Sequence, residues 1–166
     1  YSTMTMAMAR EMRRLCAMAD VITPNLTEAH LLLGEDYRSA PRSPAQVRDM
    51  LSALLDLGPE NALITSMPVE NGLANVCMRR GDAGYYQCAY PILPVQYPGT
   101  GDLFASVLTG AMVRGEDLQS AMDRASRAVY RAVKDTYALG TEIRAGVQLE
   151  LSLNAIWDDL EEDRVQ

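Results

Sequence analysis

Two short apolar runs constrain the fold of this 166-residue chain more than any other feature. One is Asp20-Val21-Ile22-Thr23, halted by Pro24, and the other extends from Asn61 to Thr65. Two stretches of helical periodicity separate them. The first is short and ends at Gly34. After a loop-like stretch at 35–42, the second is opened by Ser43-Pro44, turns Val47, Met50, Leu51, Leu54 and Leu55 inward, and stops at Gly58-Pro59. Strands joined through helices at this spacing predict a parallel sheet with helices on both faces. Two further runs, Leu73 to Arg80 and Gly84 to Tyr90, flank Gly81-Asp82 and predict an antiparallel hairpin.

Helices dominate the remainder. Periodicity predicts them from Thr3 to Met18, with Met8, Met12, Leu15 and Cys16 on the apolar face, and from Asp102 to Arg114. Others run from Asp117 to Leu139, with a small-residue face, and from Ser152 to Leu160. Two parallel strands and one hairpin offer little area to so many apolar helix faces, so further strands from another chain or segment are expected. Ten methionines suit adaptable packing but cannot replace a strand.

With 48% hydrophobic and 22% charged residues, the composition is that of one globular domain without repeats. A formal charge of -7 argues against a nucleic-acid surface. No apolar run is long enough to span a bilayer, and the first residues lack a secretory pattern, so a cytoplasmic protein without membrane partners is expected. Cys16, Cys77 and Cys88 are odd in number and lack metal-ligand spacing, which fits reduced thiols. His30, in an apolar helix without nearby ligands, reads as structural or surface-exposed.

Chemistry enters with Pro98-Gly99-Thr100-Gly101-Asp102-Leu103-Phe104. The glycines permit a tight turn and close backbone approach, and successive N–H groups at a helix start form an anion site. A carboxylate in that position repels an anion, unless Asp102 takes a proton from a hydroxyl attacking a phosphoryl group held by the amides. The plainer reading makes Asp102 a helix N-cap. A second cluster, Thr23, Asn25 and Glu28, falls at the carboxyl end of a strand, where open α/β sheets bind ligands. Glu28 could hold magnesium directly or through water. The plainer alternative has Thr27 capping a helix whose positive end favours Glu28.

In this order, Asp20-Val21-Ile22-Thr23-Pro24-Asn25-Leu26-Thr27-Glu28-Ala29, the Thr65-Ser66 pair and Pro98-Gly99-Thr100-Gly101-Asp102-Leu103-Phe104 resemble the ribokinase-like superfamily, and within it the pyridoxal (pyridoxine) kinases. The likeness extends from Tyr1 to about Leu160. It implies a three-layer α/β/α ribokinase-like fold, here partial. Residues 1–166 would be the ATP-binding C-terminal portion of one kinase domain, without the N-terminal portion that holds most of the vitamin pocket. The implied reaction moves the γ-phosphate of ATP to the 5′-hydroxymethyl of pyridoxal, pyridoxine or pyridoxamine. Asp102 would be the base, with amides of Gly99, Thr100 and Gly101 as the anion hole. Asn25, Thr65, Ser66, Thr100 and Gly101 would bind ATP. Glu28 would hold magnesium, with Thr23 beside a monovalent cation such as potassium, and Tyr1 would match a family tyrosine on the nucleotide side. A homodimer is implied for the full-length protein, and turnover is not expected of these residues alone.

Hydroxymethylpyrimidine kinases of the same superfamily share the P-N-x-x-E-A wording, but the resemblance places a cysteine where this chain has Asp102. Sugar kinases set the glycine motif differently, often with alanine before the turn. A catalytically silent remnant or assembly module is the alternative from another class.

Overall fold

The computed structural model describes residues 6–37, 39, 40, 42–70, 72–151 and 153. They divide into two compact units, one reaching Ala89 and one starting at Tyr90. The first contains α1 (Met6–Cys16), β1 (Val21–Ile22), α2 (Leu26–Leu33), α3 (Pro44–Leu55), β2 (Asn61–Val69), β3 (Gly72–Arg79) and β4 (Tyr86–Ala89). The second contains α4 (Thr100–Val113) and α5 (Leu118–Leu139), followed by single 3-10 turns at Ile143–Ala145 and Leu149–Leu151. The sequence expectations for Tyr1 and for most of the helix from Ser152 to Leu160 lie outside the described residues.

One sheet of order β1-β2-β3-β4 forms the first unit's centre. β1 pairs parallel with β2, Val21 opposite Asn61 and Ile22 opposite Ala62, as the helix-linked spacing requires. The remaining pairs are antiparallel. The hairpin anticipated around Gly81-Asp82 is β3–β4. A second hairpin, β2–β3, departs from the sequence expectation, because β2 continues past Thr65 to Val69 before reversing. Serine and proline at 66 and 68 lower strand propensity, and the ladder with β3 carries the strand through them.

Side chains alternate along these strands, so Ala62 and Ile64 share a face with Ala74, Val76 and Met78. That face joins Leu26, Ala29 and Leu32 of α2 and Val47, Leu51 and Leu54 of α3 in one buried cluster. Leu63 and Cys77, directed oppositely, are buried too. The start of α3 follows its sequence signal closely. Pro44 opens the helix, while Ser43 and Gln46 cap each other's backbone N–H. α2 ends at Gly34 in the left-handed region, φ 74°.

α1 corrects the expected facing. Ala9 and Cys16 are buried, whereas Met8, Met12 and Leu15 are 50, 44 and 58% exposed. Small residues rather than the methionine stripe are buried in the side that meets α2, and Arg13 Nε donates to the Leu32 carbonyl at the end of α2. A cation there complements the helix dipole. His30 resolves to the buried alternative, 2% exposed. Its Nε2 lies 2.7 Å from Arg42 Nη2, and its Nδ1 lies 3.2 Å from Glu35 Oε2.

In the second unit, α5 begins at Asp117, whose carboxylate accepts the Ser120 N–H at 2.8 Å. Its buried Ala121, Ala125, Ala128 and Ala132 form the small-residue face, which lets α4 approach closely. Arg124 Nε contacts both carboxylate oxygens of Glu116, at 3.1 and 3.0 Å.

Candidate functional site

The first cluster grows from the end of β1. After Ile22 the chain stays beside β2 long enough for the Thr65 N–H to donate to the Pro24 carbonyl at 3.0 Å. Asn25 and Thr65 thereby form a parallel bridge. This contact unites residues predicted from separate segments: Asn25 and Thr65 are adjacent, with Thr23 and Glu28 on Asn25's own stretch of chain. Thr23 and Glu28 also line a cavity of about 300 Å³ with Met12, Cys16 and Ile22.

Asn25, not Thr27, is the N-cap of α2. Its Oδ1 accepts the Glu28 N–H at 3.0 Å, and Glu28 Oε2 accepts the Asn25 N–H at 2.9 Å. The reciprocal pair fixes the half-buried Glu28 carboxylate at the positive end of α2. Among the described residues, no group of three or more His, Cys, Asp and Glu could hold a metal ion together. Glu28 could therefore serve magnesium only as a single carboxylate, with water and phosphate oxygens completing the shell, an arrangement that suits that ion.

Thr65 and Ser66 occupy a bulge. Ile64 pairs with Val76 and Met67 with Ala74, so two residues of β2 face Asn75 alone. Ser66, with φ 55°, is the only non-glycine residue at positive φ among the described residues. Its N–H donates to Oδ1 of the buried Asn75 at 3.1 Å. Sequence reasoning passed over Asn75. The available signal was an amide within the apolar run Leu73-Ala74-Asn75-Val76-Cys77-Met78.

The glycine motif builds the second cluster. Gly99, at φ 89°, is the N-cap of α4, so Asp102 is the helix's third residue and not its cap. The first intrahelical bond runs from the Leu103 N–H to the Gly99 carbonyl at 3.0 Å. The N–H groups of Thr100, Gly101 and Asp102 precede it and have no acceptor within the helix. Thr100 Oγ1 donates to the Tyr97 carbonyl at 3.2 Å, securing the turn from below. A Cβ at Gly101 would meet no atom within 4 Å, so that space is open to a ligand. Asp102 is exposed beside it.

Residues beyond α5 brace this turn. Val147 N–H donates to the Pro98 carbonyl at 3.2 Å, and a Cβ on Gly146 would come within 3.2 Å of that oxygen. The Gln148 N–H is anchored in turn by Oγ1 of the fully buried Thr136 at 2.9 Å. The resulting site has rigid backbone donors, an exposed carboxylate and room for an anion. No sequence signal pointed to the brace, which depends on residues almost 50 positions away.

Residues 2–146 match the phosphomethylpyrimidine kinase family. A protein of Bacteroides thetaiotaomicron assigned as a phosphomethylpyrimidine kinase, crystallised with pyridoxal, superposes with a TM-score of 0.87 at 37% identity, over 94% of this chain and 55% of its own. The pyridoxal kinase of Lactobacillus plantarum gives 0.82 at 34% identity, over 98% of this chain and 58% of its own. The pyridoxal kinase PdxY of Deinococcus radiodurans is 29% identical over 127 residues, 74% of this chain and 43% of that protein. The chain thus spans about half the length of these relatives. No helix among the described residues is long and apolar enough to cross a membrane. With its parallel strand pair, capped strand-end helix and glycine turn, the chain has a ribokinase-like fold and belongs to the phosphomethylpyrimidine kinase family.

Proposed function

We propose that this chain is the ATP-binding portion of a kinase that phosphorylates the 5′-hydroxymethyl group of pyridoxal, pyridoxine or pyridoxamine. The observation that carries the reading is the start of α4: an exposed Asp102 beside amides that precede the first helical hydrogen bond. Asp102 acts as general base toward the acceptor hydroxyl. The amides of Gly99, Thr100 and Gly101 stabilise charge on the transferring phosphoryl, and being fixed by the braced turn they need little reorganisation. Asn25, Thr65 and Ser66 bind the ATP phosphates. Glu28 would hold magnesium, which would neutralise phosphate charge, and Thr23 would contribute to a site for a monovalent cation such as potassium. The similarity to a protein crystallised with pyridoxal and to a pyridoxal kinase supports the choice of acceptor. Cys16, Cys77 and Cys88 outside any disulfide fit a reducing, cytoplasmic setting, and the enzyme is taken to act as a homodimer.

A second reading, a hydroxymethylpyrimidine (phosphate) kinase, is favoured by the family matched. Asp102 in place of the cysteine expected there favours the vitamin B6 branch. ADP release by the enzyme containing this chain, measured against the three vitamers and hydroxymethylpyrimidine, decides between them. Turnover with hydroxymethylpyrimidine alone would overturn the reading.

A further inference from the structure

We infer that Asn75 is a positioning residue for nucleotide phosphates, acting through the strained backbone of Ser66. This inference rests on the proposed nucleotide site.

A non-glycine residue at positive φ inside a strand is disfavoured by contact between its Cβ and the backbone, and it persists only where surrounding structure imposes it. At Ser66, φ 55°, the imposing contact is identifiable. The bulge places Thr65 and Ser66 opposite Asn75 alone, and the Asn75 amide oxygen lies 3.1 Å from the Ser66 nitrogen. Asn75 is 4% exposed, so its side chain is held within the sheet rather than in solvent. It accepts a backbone N–H that the bulge has removed from the ladder. A bulge re-aims the side chains on its strand, and this one lies where Thr65 bridges to Asn25.

The hydrogen bonds also assign donors. The Thr65 N–H is committed to the Pro24 carbonyl and the Ser66 N–H to Asn75. Phosphate oxygens at this position would therefore be met by the Thr65 and Ser66 hydroxyls, not by their amides. A hydroxyl on a strand points where the backbone dictates, so loss of the Asn75 acceptor lets residue 66 relax toward ordinary strand geometry and turns its hydroxyl away. The chemistry recognised is a polyphosphate; the nucleoside is not involved.

The test compares Asn75→Ala and Asn75→Asp in the 166-residue chain, the aspartate retaining an acceptor oxygen. Amide hydrogen exchange at Ser66, followed by NMR, reports the contact directly. Calorimetric titration with magnesium-ATP and with adenosine reports its use, and thermal melting shows that each variant is folded. Asn75→Ala should accelerate Ser66 exchange and weaken ATP binding roughly tenfold, the scale of one well-placed hydrogen bond. Adenosine binding should stay unchanged, and Asn75→Asp should restore both Ser66 protection and ATP affinity. Equal weakening of ATP and adenosine would overturn the inference, as would accelerated exchange with native ATP affinity. A native chain that binds no ATP would overturn the nucleotide reading itself, and the role given to Asn75 with it. That failure is distinguishable because it appears before any substitution is made.

Discussion

Glu28 offers the sharpest separation of architecture from chemistry, because one carboxylate oxygen serves a backbone contact while the proposed metal role needs the charge. In the structure Oε2 accepts the Asn25 N–H at 2.9 Å, closing the capping box of α2. Glu28→Ala removes that acceptor, for a net loss of about 1 kcal/mol. It also removes a negative charge from the first turn of α2, contributing about 0.3–1 kcal/mol more. Since about 1 kcal/mol moves the Tm of a domain this size by about 2–4 °C, Glu28→Ala should melt roughly 3–8 °C lower. Glu28→Gln retains an oxygen for the Asn25 N–H, as glutamine serves equally in a capping box, and should melt only about 1–4 °C lower. If the carboxylate holds magnesium, both variants should need on the order of tenfold more magnesium for half-maximal ATP binding. Scanning calorimetry and ATP titrations across a magnesium series measure the two effects separately. A Glu28→Gln chain with native magnesium dependence would refute the metal role and leave Glu28 as a cap alone.

The glycine turn gives two contrasting substitutions. Gly99→Ala places a side chain at φ 89° and should lower stability by about 1–2 kcal/mol, read by denaturant melts. Gly101→Ala meets no protein atom and should leave stability unchanged or slightly raised, yet weaken ATP binding, because its methyl enters the space offered to the phosphate. In the active enzyme, Asp102→Asn should lower turnover on the order of a hundredfold while Tm and ATP affinity hardly move; near-native turnover would remove Asp102 from the mechanism. Burial raises the Cys16 thiol above its ordinary value of 9.0. The folded state therefore retains that proton longer than the unfolded state, and its contribution to stability should be complete below pH 9 and decline as pH rises through the folded value. Slow alkylation of Cys16 in native protein near pH 8, with prompt alkylation after unfolding, checks the shift.

The chain by itself determined the elements whose signals are local. Pro24, Ser43-Pro44 and the turn at Gly99 act through φ restriction and capping within a few residues, so β1, α3 and the glycine turn before α4 could be read directly, although α4 starts at Thr100 with Gly99 as its cap rather than at Asp102. Thr23, Asn25 and Glu28 were found as a group because strand end and helix start are contiguous in sequence. What depends on partners distant in sequence was not legible. The continuation of β2 through Ser66 and Pro68 required β3 beside it, and the exposed methionines of α1 looked like a core face because periodicity records an apolar stripe but not which side meets a neighbour. The choice of Asn25 over Thr27 as cap needed actual backbone angles. Asn75 shows the same limit most plainly. Its local signal, an amide within an apolar run, does not say which backbone that amide supports, and only the bulged pairing of two strands brings its oxygen to the N–H of a serine nine residues earlier.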